Sequence, residues 1–224
     1  MTVAALYVDT ALGPYARMDG VECWGWATRN GTQQDLFAKT RDARDYRGPH
    51  PVVAHPPCER WGRYWSGGPS AKRRRLKGDD AGCFAAALWS VRQFGGVLEH
   101  PQASHAWSWF GLRKPEWSGG WAVADSFGGI TCCVMQGHYG HESQKATWLY
   151  AVGVGPVDLM WGPAPGLRRL DEGFRTKAER DSARMAGATP RDRLSRNERV
   201  LTPVPFRDLL LSLARSSVGG MANE

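Results

Sequence analysis

Three short stretches of the chain bring together residue types that can do covalent chemistry. In PVVAHPPCERWG, Val52 and Val53 form a β-branched strand, and His55-Pro56-Pro57 then turns the chain to present Cys58. Two consecutive prolines fix φ, so the following thiol is held rigidly, as a nucleophile must be. In GGVLEHP, Glu99 ends an apolar strand, where a carboxylate needs a partner or a task. In GHESQKATWLYAV, Lys145 sits in a polar turn that feeds another strand. On one sheet rim these would be a nucleophile, a carboxyl and a cation able to absorb negative charge. Each also has a plain structural reading: an inert buried thiol, a Glu capping a helix or pairing with Arg, and a solvated loop lysine.

A metal centre is the competing chemistry. His138 and His141 lie three apart, Cys132 and Cys133 stand just upstream, and His55 and Cys58 share the turn. Such a cluster could hold zinc and make the chain a hydrolase or deaminase. Neither CxxC nor HExxH is present, and adjacent cysteines on a strand point to opposite faces. The expectation is therefore no metal site, with the zinc enzyme as the third reading.

The elements that would position these residues follow from periodicity. Strands are expected at Ala4-Val8, Val21-Trp26, Pro51-Ala54, Gly96-Glu99, Ile130-Met135 and Thr147-Val152. One helix is capped by Asp79 or Asp80, aligns Phe84, Leu88 and Val91 on one face, and ends at Gly95-Gly96. Strand, long loop, helix, strand is the order of a parallel crossover. The expected fold is α/β: a single Rossmann-like domain with a mostly parallel sheet and helices on both faces. Residues 1–155 form the core, 156–200 a basic, polar, peripheral segment, 201–216 a closing helix and 217–224 a tail.

Composition narrows the class. The chain has 224 residues, 42% hydrophobic and 23% charged, which excludes wholesale disorder. No apolar run reaches the ~18 residues of a membrane span, so no membrane partner is expected. Five cysteines without paired spacing read as reduced thiols in a cytoplasmic protein. A net charge of +7 suggests an anionic partner. The loop after Cys58 carries Arg60, Arg63, Lys72, Arg73, Arg74, Arg75 and Lys77, phosphate contacts for DNA, with Gly67-Gly68 as a hinge. Eleven tryptophans allow a second reading, a non-catalytic nucleic-acid-binding or phage accessory protein. In it Trp61, Trp65, Trp107 and Trp109 would stack on bases.

Taken in order, HPPC, LEHP and SQKATWLYAVG resemble the catalytic Pro-Cys turn, the Glu strand and the later basic turn of the DNA cytosine-C5 methyltransferases. SRNERVLTPVPFRDLLL is similar to that family's closing segment, and the chain resembles a small, diverged, phage-type relative. The resemblance implies a DNA base-modifying transferase acting on a flipped-out or single-stranded pyrimidine. Cys58 would add to ring C6, Glu99 would meet the N3 edge and Lys145 the O2 side. It also implies S-adenosylmethionine as donor, bound by Asp9, Thr10, Gly13 and Trp26. The family's Gly-rich donor loop is here Thr10-Ala11-Leu12-Gly13-Pro14-Tyr15, with one glycine and a proline, so donor affinity is expected to be weak or absent. Too little chain separates the last strand from the closing segment for a large target-recognition region, so weak sequence selectivity is expected.

Overall fold

Short, largely β-branched and aromatic runs build a single sheet. In the computed structural model, which describes residues 1–26, 41–67, 75–165 and 194–217 plus single positions between 168 and 186, seven strands hydrogen-bond together. They are β1 (Val3–Leu6), β2 (Val21–Trp24), β3 (Val52–Ala54), β4 (Gly96–Pro101), β5 (Ala122–Val123), β6 (Ile130–Met135) and β7 (Ala146–Val152), in the spatial order β2-β1-β3-β4-β7-β6-β5. The first four run parallel. β7 is antiparallel to both β4 and β6, and β5 is antiparallel to β6.

The sheet is thus mixed, and the expectation of a mostly parallel one is corrected. The cause is the connection from β6 to β7. It runs from Gln136 to Lys145 and holds only a 3-10 turn over Gln136–Tyr139. That is shorter than the roughly dozen residues of a parallel crossover, so β7 returns as a hairpin arm.

Both faces of the parallel half are buried, with alternate residues facing opposite cores. Ala4, Leu6, Val52, Ala54 and Leu98 pack with Phe84, Ala87, Leu88 and Val91 of α1 (Cys83–Phe94). Val3, Ala5, Val53 and Val97 pack on the other side with Phe206, Leu210, Leu211 and Leu213 of a helix spanning Val204–Ser216. Two short helices complete the described set, α2 (His105–Trp109) and α3 (Arg196–Val200), so the Val204–Ser216 helix is α4. The result is an α/β architecture with a helix on each face.

Asp80 caps α1, though from two residues before its N-terminal Gly82. Its carboxylate accepts from the Gly82 and Phe84 amides at 3.0 and 2.8 Å, and from Trp61 Nε1 at 2.7 Å. One side chain therefore ties the helix start to the turn that follows Cys58. At the other end Gly96 adopts φ +111°, and a Cβ there would run into the Val52 carbonyl. Only glycine lets α1 hand over to β4 this close to β3. Among the described residues no helix is long and apolar enough to cross a membrane.

Candidate active site at the strand ends

Register assembles the site. β3 pairs with β4 so that Ala54 lies beside Leu98, which sets the next residues, His55 and Glu99, side by side. β6 runs in the direction of β4, so its end delivers Gln136 to the same rim, and the start of β7 delivers Lys145 and Thr147. Tyr15 arrives from the β1–β2 connection. β1 has β2 on one side and β3 on the other, so the chain changes side at this point, the usual crevice for ligands in open α/β sheets.

A continuous hydrogen-bonded chain crosses the rim. Tyr15 OH meets His55 Nε2 at 2.9 Å, and His55 Nδ1 meets Glu99 Oε2 at 3.0 Å. Gln136 Nε2 donates to Glu99 Oε1 at 3.4 Å and to Thr147 Oγ1 at 2.9 Å. The Thr147 hydroxyl in turn donates to the Lys145 carbonyl at 3.1 Å. Tyr15, Gln136 and Thr147 are shielded from solvent, while the Glu99 side chain keeps 15% of its surface.

Cys58, Glu99 and Lys145 act on one another electrostatically, each perturbing the others' ionisation. Cys58 has an exposed surface, yet its thiol lies in a crowded recess. That crowding, and then the Glu99 carboxylate, push the thiol up to about 11, and Lys145 offsets them only in part. Burial opposes ionisation of Glu99, but the His55 hydrogen bond and charge, with Lys145, outweigh it and hold the carboxyl below its ordinary range. Burial lowers Lys145, against the pull of Glu99 and Cys58. Lys145 also has φ +40°, a strained value for a residue with a side chain, and its Nζ donates to the Leu201 carbonyl at 2.7 Å.

No imidazole is placed to deprotonate Cys58. Both His55 nitrogens are engaged elsewhere. His100 is fully buried, pairs through Nδ1 with Ser104 Oγ at 2.7 Å, and is pushed down to about 4 by burial. A cysteine-histidine dyad of the hydrolase kind is therefore absent among the described residues. Cys132 and Cys133 lie in opposite cores, and the described residues contain no group of three or more His, Cys, Asp or Glu able to hold a metal.

The donor-loop residues serve their own turn. Asp9 Oδ1 accepts from the Ala11 and Leu12 amides at 2.9 and 3.0 Å, and the Asp9 carbonyl accepts from Gly13 N at 3.2 Å. A Cβ on Gly13 would meet that carbonyl at 2.5 Å, so this glycine closes the loop on itself. Thr10 is half-buried, and Trp26 packs on Tyr7 with ring centroids 6.2 Å apart. The backbone N–H groups that would cradle a donor are consumed internally, so the loop does not fit S-adenosylmethionine in the family's manner.

Among the phosphate-contact candidates, Arg60 is half-buried, and its Nη1 is enclosed without a hydrogen-bond partner among the described residues. Arg63 is exposed with its guanidinium 5.6 Å from the Tyr64 ring centroid, Lys77 lies 5.0 Å from the Trp65 ring, and Arg75 is exposed. Lys72, Arg73, Arg74 and the Gly68 half of the hinge fall outside the described residues. The stacking set needs correction. Trp61 and Trp107 are 2% and 0% exposed, core residues closed off from any base, whereas Trp109 is 63% exposed. The pattern of alternating basic and aromatic residues does not tell a core tryptophan from a surface one.

Tyr15, His55, Gln136 and Thr147 are site residues the sequence reading does not pick out. His55 stands inside the HPPC turn, and Gln136 ends a buried strand just as Glu99 does, so both carried a usable signal. Tyr15 and Thr147 carried none. Comparison with protein-family profiles, characterised proteins and solved structures finds no match to the chain.

Proposed function

We propose that the protein is a DNA-modifying enzyme that acts on a pyrimidine through Cys58, in the manner of the cytosine-C5 methyltransferases. The observation that carries this reading is the mutual electrostatic influence of Cys58, Glu99 and Lys145 at one rim. On this reading the four parallel strands are the Rossmann-like half of the fold, with the recess at their carboxyl ends. The Cys58 thiolate adds to C6 of the ring and breaks the 5,6 double bond, which makes C5 a carbon nucleophile. Glu99 meets the ring edge across from C6, and the Lys145 ammonium balances charge that develops at O2. Arg63, Arg75 and Lys77, with Lys72, Arg73 and Arg74, hold DNA phosphates. The donor loop supports weak S-adenosylmethionine affinity or none, so no step is drawn through a donor. Calorimetric titration tests that point, and low-micromolar binding would overturn it.

Addition at C6 can be tested without any donor. Reversible attack followed by deuteron capture at C5 and elimination exchanges the C5 hydrogen with D2O. The wild-type chain should catalyse this exchange in a single-stranded oligonucleotide containing cytosine or uracil, and Cys58→Ser should not. Exchange that persists in Cys58→Ser refutes the nucleophile. A thiol pushed up to about 11 favours the second reading, a nucleic-acid-binding protein on a retired enzyme fold. Oligonucleotide binding without exchange in the wild type would establish that reading instead.

A further inference from the structure

The directions of the hydrogen bonds around Glu99 are fixed from both ends. Tyr15 is 1% exposed, and among the described residues its hydroxyl has no acceptor other than His55 Nε2. The O–H must therefore donate to Nε2, which puts the ring proton on Nδ1 and makes His55 a donor to Glu99 Oε2. With the opposite tautomer, Nε2–H would point at the Tyr15 oxygen and strand the phenol proton in a buried site. At the other end Thr147 donates its hydroxyl proton to the Lys145 carbonyl, so Thr147 Oγ1 must accept from Gln136. That orients the Gln136 amide with Nε2 toward Glu99 Oε1. The reverse orientation would set an amide oxygen against the carboxylate. Both Glu99 oxygens thus face protein donors, and the lysine ammonium acts on the same group.

We infer that Glu99 is an acceptor-only carboxylate which selects a pyrimidine bearing a proton on ring N3, the uracil and thymine class, over neutral cytosine. The inference rests on the pyrimidine reading above. Ring positions 3 and 6 lie directly opposite each other, so a base with C6 at the Cys58 sulfur turns N3 toward the far wall, where Glu99 stands. An N3–H donates to the carboxylate. The N3 of neutral cytosine presents a lone pair to it, and cytosine fits only after N3 is protonated. Tyr15 and His55 are positioning residues in this arrangement, since they set the form of Glu99 without touching the base.

The test uses the full chain carrying Cys58→Ser, so that binding is measured apart from chemistry. Oligoadenylate strands with one central uracil, thymine or cytosine are titrated by fluorescence anisotropy between pH 6 and 9. At pH 8 the uracil and thymine strands should bind at least about tenfold more tightly than the cytosine strand, because a polar site rejects a ligand that leaves it unpaired. Cytosine binding should strengthen by up to about tenfold per pH unit on acidification, and uracil binding should stay flat. Adding Glu99→Gln, whose amide can both donate and accept, should erase the pH dependence and narrow the preference. Cytosine binding as tightly as uracil at pH 8, or a preference unchanged by Glu99→Gln, overturns the inference. Either result leaves the nucleophile reading to the C5 exchange experiment, which scores Cys58 independently of base preference.

Discussion

Replacing Glu99 by glutamine should make Cys58 more reactive, although the two belong to one site. The thiol is pushed up to about 11 by burial first and by the Glu99 carboxylate second. At pH 8 a thiol near 11 is ionised to about 0.1%, against roughly a quarter for an ordinary cysteine near 8.5. Glu99→Gln keeps the shape of the side chain and its hydrogen bond from His55 while removing the charge. Burial remains, so the thiol falls only part of the way. Each unit of fall gives about tenfold more thiolate, but intrinsic nucleophilicity drops about threefold per unit at a Brønsted slope of 0.4–0.5. The net expectation is alkylation at pH 8 about threefold faster for each unit. Iodoacetamide labelling quantified by peptide mass spectrometry reads Cys58 separately from half-buried Cys23 and from the three buried cysteines. In the wild type the rate should still be climbing at pH 10, and in Glu99→Gln the profile should move to lower pH. An unchanged or slower Glu99→Gln would show that the carboxylate does not face the thiol, and the electrostatic account of the site would fail with it.

Other expectations follow from the same geometry. Asp125 accepts from Arg92 Nη2 and the Tyr150 hydroxyl, both at 2.8 Å, and from the Phe127 and Gly129 amides. Asp125→Asn should cost about 2–3 kcal/mol in urea denaturation by leaving Arg92 unpaired. Burial opposes ionisation of Asp125, but these partners outweigh it and hold the carboxyl low, so its stabilisation is complete above the unfolded value near 4. That contribution is lost as pH falls through the lower folded value, and the acid limb of a stability-pH curve should flatten in Asp125→Asn. Gly96→Ala should prevent stable folding, because the Cβ meets the Val52 backbone and the φ is strained; a melting temperature within a few degrees of wild type would refute the packing. Neutralising Lys72, Arg73, Arg74 and Arg75 should lower the slope of log affinity against log salt by about 3–4 for duplex DNA, and an unchanged slope would move the phosphate surface elsewhere.

Much of the framework was legible because it is local. The apolar run of β6 is bounded as Ile130–Met135 in both readings, and α1 ends at Gly95 where its glycine pair stands. Strand direction is not local. An apolar run reads the same in a parallel or antiparallel neighbour, and only the short β6–β7 connection decides that β7 returns against β4. The site divides in the same way. Cys58 announces itself through Pro56-Pro57, but the partners of His55 lie 40 and 44 residues away in sequence. Tyr15 belongs to the site only because the β1–β2 connection folds over the rim, and no spacing rule carries that.

The Lys145 tether to Leu201 has a consequence for the order in which the protein comes into being. All seven strands precede Leu201 and α4 in the chain, so a ribosome finishes the sheet before it makes either. Until α4 emerges, Val3, Ala5, Val53 and Val97 lack their cover, and Lys145 lacks the carbonyl that holds its ammonium. Arg207 adds a second clasp, from α4 to the Pro14 carbonyl beside Tyr15, at 2.8 Å. The nascent chain thus carries Cys58 and Glu99 early and completes the recess around them last, after synthesis has passed the final helix.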